Sequence, residues 1–237
     1  MVDRSANTIH FSDGLNYEMI DLGIAKIYEA IYKKSYEDII LDFSKCVLVF
    51  PFEMLRLCSY VLYEKSLNEK FDFVLNLPNK EELARLFNNS NWSYLLDPLH
   101  HTKSSFRGFR QLPAEQYHND IELNALLNKI LDLILSSFEE LQRSDLAAIE
   151  WSLSEIMDNV LVHSESKIGG IVQMHSQHGS NKKVEIFVAD AGIGIPESLK
   201  IKYPNEIDSL ILLNAVKEGV TLNSAKYLDW KELTGHC

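Results

Sequence analysis

The sequence predicts a mixed α/β protein arranged as two units. Three observations carry that prediction. Over the first hundred residues, β-branched runs alternate with amphipathic helical stretches, the pattern of βαβ units. Between residues 98 and 118, Pro98, Ser104, Ser105, Gly108 and Pro113 break every periodicity. After residue 119, two helical stretches precede two strand-like runs.

Thr8–Phe11 is a short strand, and Asp13-Gly14 a turn signal. Ile20, Ile24, Ile27 and Ile31 recur at helical spacing from Tyr17 to Tyr32. Glu37–Phe43 is β-branched and short enough for a buried strand. Pro51 is suited to the first position of a helix. Met54, Leu55, Cys58, Val61 and Leu62 then form one apolar face. Phe71–Leu77 is a strand closed by Pro78. Asn79 precedes Lys80-Glu81-Glu82, an N-cap followed by acidic residues in the first turn. Leu83 and Leu86 continue that helix.

Residues 98–118 read as a linker. Its pair His100-His101 has no carboxylate or cysteine at ligand spacing and reads as linker rather than metal site. Its basic residues, Lys103, Arg107 and Arg110, read as solvated. From residue 119, Ile121, Leu123, Leu126, Leu127, Ile130, Leu131, Ile134 and Phe138 form a wide helical stripe. A second helix runs from Leu146 to about His163. Gly169–Ser176 and Lys183–Asp190 are strands, joined by a polar hairpin connection over 178–182.

Composition narrows the function classes. The 237 residues carry a formal charge of −11, which disfavours nucleic acid as a partner. No apolar run is long enough to span a bilayer, and Met1–Asn7 has no secretory apolar core. The three cysteines, Cys46, Cys58 and Cys237, have neither metal spacing nor an even count. Reduced thiols and a cytoplasmic location are the expectation.

Two segments carry chemistry: Glu155-Ile-Met-Asp158-Asn159-Val-Leu-Val-His163 and Asp190-Ala-Gly192-Ile-Gly194-Ile195-Pro196. Glu155 and Asn159 are four apart, so about 40° separates them on a helix, and His163 extends the row. Ile156, Val160, Leu161 and Val162 lie off the row and are expected to pack. Asn159 offers a neutral oxygen to Mg²⁺. Glu155 is placed to orient or deprotonate a nucleophile near the metal. Asp158 faces elsewhere and supports from behind. His163 fits either of two roles, touching a phosphate or closing the helix end. Asp190 ends an apolar strand, and an ionised carboxylate accepts only, which selects an exocyclic amine such as that of adenine. Gly192 and Gly194 permit close backbone approach, Ile195 packs on a base, and Pro196 stiffens the exit. Taken alone, the second segment also suits an ordinary strand-to-helix turn.

In this order, the two segments resemble the N box and first glycine box of the GHKL ATPases, which include histidine kinase catalytic domains and anti-sigma-factor kinases. The likeness spans about residues 120–220. It implies a helix–sheet sandwich (the Bergerat fold), with ATP and Mg²⁺ as cofactors. Glu155 would be the base, Asn159 the Mg²⁺ ligand, Asp190 the adenine acceptor, and Gly192 and Gly194 the shapers of the adenine loop. Residues 5–97 resemble a STAS domain in element order and size. Val49-Phe50-Pro51 stands where many such domains carry a phosphorylatable Ser or Thr, so the expected role is docking or dimerisation.

The chain departs from the GHKL pattern at Val162, where many members have a basic residue, and at Ala191. Gly235-His236 matches the opening of a second glycine box, so the distal elements are expected to be cut off or absent. Phosphate contacts would fall to Mg²⁺, Lys217, Lys226 or a partner chain, though Lys217, at a predicted helix end, reads rather as a cation favoured by the helix dipole.

The division expected is therefore 1–97, a linker at 98–118, and 119–237. The function expected is cytoplasmic signalling through Mg-ATP binding, with hydrolysis or protein phosphotransfer. The alternative is a non-catalytic interaction module in which nucleotide is a structural ligand. Either way a protein partner is expected on the first unit, with a homodimer left open. His118 has no recognisable phosphoacceptor context. The acidic balance argues against a DNA-remodelling ATPase of the gyrase or MutL kind.

Overall fold

The computed structural model describes residues 7–104, 111–138, 141–177, 183–200 and 203–215. It is a mixed α/β structure with one parallel and one antiparallel three-stranded sheet, plus a two-stranded parallel ribbon.

The chain opens with β1 (Thr8–His10), β2 (Asp13–Gly14) and α1 (Tyr17–Tyr28). The Asn16 side chain accepts from the Met19 N–H and starts α1. The expected helix to Tyr32 is α-helical only to Tyr28; Glu29–Lys33 winds on as a π turn, with Lys34 N–H bonded to the Glu29 carbonyl. Next come β3 (Asp38–Asp42), β4 (Cys46–Leu48), α2 (Pro51–Leu67), β5 (Asp72–Asn76), α3 (Glu81–Asn89) and α4 (Trp92–Leu96). Pro51 does sit at the start of α2. Asn79 does not cap α3: Lys80 flanks that helix without a side-chain cap. The Asn79 backbone N–H instead bonds the Ser44 carbonyl, 3.1 Å away, which ties it to the β3–β4 turn. Asp13-Gly14, read as a turn, pairs in parallel with β4.

β1, β3 and β5 pair in that order, all parallel. A file of rings fills the core behind them. Phe11 stacks on Phe43 at 4.4 Å between centroids, and Phe43 meets Phe87 edge-on at 5.1 Å. Phe87 meets Trp92 edge-on at 5.6 Å. Each contact adds about 0.5–1.5 kcal/mol beyond burial. Asp97, 1% exposed, anchors the end of β5 by accepting the Leu75 N–H. It also takes the His100 ring nitrogen at 2.8 Å. The expectation that no carboxylate neighbours the histidine pair was therefore wrong, because the turn after α4 folds back on Asp97.

The second half contains β6 (Gln111–Tyr117), α5 (Asp120–Ser137), α6 (Ala147–His163), β7 (Gly170–Gln177), β8 (Lys183–Asp190), α7 (Gly194–Lys200) and α8 (Asp208–Ala215). β6 falls within the expected linker. Pro113 sits in a register shift between Leu112 and Glu115, where a missing N–H disrupts no ladder bond. The hairpin connection over 178–182 lies outside the described residues.

β6, β7 and β8 form an antiparallel sheet with both faces covered. Val172, Met174, Val184, Ile186 and Val188 meet α5 and α6 on one face. Ile171, Phe187 and Ala189 join the core of the first half on the other, where α2 lies against β7 and β8. A buried hydrogen bond, Trp92 Nε1–H to Gln173 Oε1 at 2.9 Å, ends the file of rings on β7. Among the described residues no helix is long and apolar enough to cross a membrane. Cys46 and Cys58 are free and buried, and burial pushes the Cys58 thiol well above its usual range.

Candidate functional site

The second helix of this half supplies the polar row. α6 buries Leu153, Met157 and Val160 against the sheet and α5. Glu155 and Asn159 fall on the opposite, exposed side. Neither side chain makes a hydrogen bond or ion pair among the described residues. Of the four apolar residues expected to pack, Val160 is buried and Leu161 packs in part. Ile156 and Val162 do not pack; they are 52% and 42% exposed. The sheet and α5 take one stripe of α6, and no described element lies over the other.

The glycine segment is fastened to the end of this helix. Ser164 Oγ closes the last turn on the Val160 carbonyl, and Ser164 O accepts the Ile193 N–H at 2.8 Å. Ser166 Oγ accepts the Ala191 N–H and donates to the Gly169 carbonyl. Ser166 N–H in turn bonds Ser164 Oγ. Two serines thus join α6, the turn before β7 and the turn after β8. A Cβ on Gly192 would lie 2.0 Å from the Ser164 oxygen, so only glycine fits this approach. Gly194 has φ +74, a conformation that likewise favours glycine.

Asp190 is exposed at the end of β8. Its Oδ1 accepts the Gly192 N–H at 2.7 Å, which fixes the carboxylate and leaves Oδ2 for another donor. Gly194 and Ile195 begin α7, and Ile195 is 54% exposed. His163 is half-buried at the last residue of α6.

Behind this corner lies Tyr117, fully buried, whose hydroxyl donates to the Met157 carbonyl at 3.2 Å. Burial, and after it the charges of Asp190 and Asp158, push its hydroxyl well above the usual tyrosine range. Asp158 on α6 is half-buried. Tyr117, Ser164 and Ser166 are the supports that sequence reasoning passed over. Ser164-Glu-Ser166 directly after a helical run was the available signal, since hydroxyls at a helix end bond free backbone groups.

The structure brings Asp190 and Gly192 together with the end of α6. By helix rise, Asn159 lies about 7.5 Å and Glu155 about 13.5 Å back along the axis from Ser164. The donor set fits one end of a nucleotide: a fixed exposed acceptor, close backbone and an exposed apolar side chain. Among the described residues no three His, Cys, Asp or Glu side chains cluster to hold a metal ion. An Mg²⁺ that arrives with phosphates needs only one or two protein oxygens, so Asn159 and Glu155 remain a compatible set. Lys217, Gly219–Thr221, Lys226 and Gly235-His236 lie outside the described residues. No family model matches the chain, and no curated protein or solved structure matches it either.

Proposed function

We propose that this protein binds Mg-ATP in a GHKL-type pocket between the exposed side of α6 and the Asp190–Ile195 segment. One observation carries the reading. The glycine segment is docked on the end of α6 with Asp190 pinned through one oxygen and exposed, its other oxygen without a partner among the described residues. In the chemistry proposed, Asp190 accepts from the exocyclic amine of adenine, and Ile195 covers one face of the base. The tail then runs back along α6, where Asn159 would hold Mg²⁺, an ion that offsets phosphate charge when bound. Glu155 orients a water or a partner's hydroxyl and takes its proton. STAS-like docking of a protein partner through the first half belongs to the same proposal.

Calorimetric titration of the intact chain with ATP and Mg²⁺ tests it. Asp190→Asn turns the acceptor into an amide and should weaken ATP about 10–100-fold, the range for a hydrogen bond to a charged group. Absence of binding heat from the unmutated protein would overturn the proposal.

A second reading, a non-catalytic module, is favoured by the flanks of the polar row. Trp151 and Val162 on one side and Ile156 on the other are 65%, 42% and 52% exposed. Such an apolar frame suits cover by a polypeptide. Glu155→Ala separates the readings: an enzyme loses turnover and keeps affinity, whereas a module has no turnover to lose.

A further inference from the structure

β8 ends its sheet: among the described residues no strand pairs with its outer edge. Its eight residues pair with β7 without a register shift, contain no proline, and carry charge only at Lys183, Glu185 and Asp190. A long, regular edge of this kind is a template for another strand.

A trough of about 350 Å³ adjoins this strand, lined by every residue from Ile186 to Asp190 and, across it, by Phe52, Leu55, Arg56 and Ser59 of α2. Strand side chains alternate between faces. Phe187 and Ala189 belong to the face of the first half, and Ile186 and Val188 to the face of α5 and α6. A lining of five residues in succession brings the trough against the backbone of β8 as well as its side chains, between that strand and α2. An edge strand facing a helix across such a trough suits an extended peptide, with its backbone on the strand and alternate side chains against the helix.

Arg56 gives the occupant its charge. The guanidinium is 4.2 Å from the Tyr17 ring centroid and is paired through Nη2 with Asp21. Its Nη1 is buried and has no hydrogen-bond partner among the described residues. The guanidinium lines the trough, where a carboxylate would pair with its positive charge. Asp190 lines the trough too and disfavours a second acid nearby, so a single carboxylate matches better than an acidic run.

We propose that this trough receives an extended segment of a partner protein as an added strand on β8, with one acidic side chain of that segment bonded to Arg56. The proposal does not rest on nucleotide binding, although Asp190 borders both sites. The test uses the full chain and synthetic ten-residue peptides of alternating apolar and polar residues, carrying one glutamate, one lysine or neither. Fluorescence anisotropy should show the glutamate set binding at least about tenfold tighter than the lysine set. Hydrogen–deuterium exchange over 183–190 should slow on binding. Arg56→Gln, checked for intact circular dichroism, should abolish the preference for glutamate over lysine peptides. Equal binding by all sets, no binding, or protection confined to other segments would overturn the proposal. Protection of 183–190 that grows with protein concentration in the absence of peptide would overturn it too, by showing that a second copy fills the edge.

Discussion

The two sheets of this protein treat their surroundings differently. The parallel sheet closes one face over its core: Ile39, Leu41 and Phe73 are fully buried, and rings from Phe11 to Trp92 run behind them. The antiparallel sheet is covered on both faces, but its surrounding elements stay open. One side of α6 is bare, Asp190 stands in solvent, and β8 has an unpaired edge among the described residues. Where side chains are fully buried, as Ile39, Leu41 and Phe73 are, a residue's job is packing. Where polar groups are held still and left uncovered, binding is the better explanation.

Phe87→Ala should break the closed half most severely. The ring is fully buried between Phe43 and Trp92, and its loss should cost about 3–5 kcal/mol, seen as a lower urea midpoint by circular dichroism. A loss under about 1 kcal/mol would mean that the file of rings is not a core. Gly192→Ala sharpens the contrast at the open half. Its Cβ must displace the Ser164 oxygen, so a loss of about 1–3 kcal/mol is expected, together with weaker ATP binding. An unchanged urea midpoint would show that the glycine segment is not docked as described. Smallest of all, Glu155→Ala and Asn159→Ala should shift stability by no more than about 0.5 kcal/mol, because both side chains are exposed and without a polar partner among the described residues. A larger loss would assign them to the fold instead of to a ligand.

Elements with strong periodicity were legible in advance. Lys183–Asp190 was bounded as the structure has it, and α6 differs by a residue at its start. β2, β4 and α4 were missed, since runs of two to five residues carry no readable period. β6 was hidden by Pro113, a breaker in sequence that a bulge accommodates, with the Ala114 N–H bonded to the Ser90 carbonyl. The two-sided burial of the second sheet left a trace that went unread. Ile171, Val172, Gln173 and Met174 are consecutive and all buried, the mark of a strand covered on both faces. For the candidate site, the polar residues were visible as motifs. Their fastening was not, because Ser164 and Ser166 act through backbone contacts that no spacing announces.

The hydrogen bond from Trp92 to Gln173, and the lie of α2 on β7 and β8, bear on how this chain can be dissected or recombined. Severed in the 98–110 stretch, the N-terminal fragment would present a naked indole N–H. The C-terminal fragment would expose Ile171, Phe187 and Ala189, a greasy back that invites clumping. Anyone grafting either piece into a chimera must therefore carry the matching surface along, or repaint it with polar side chains.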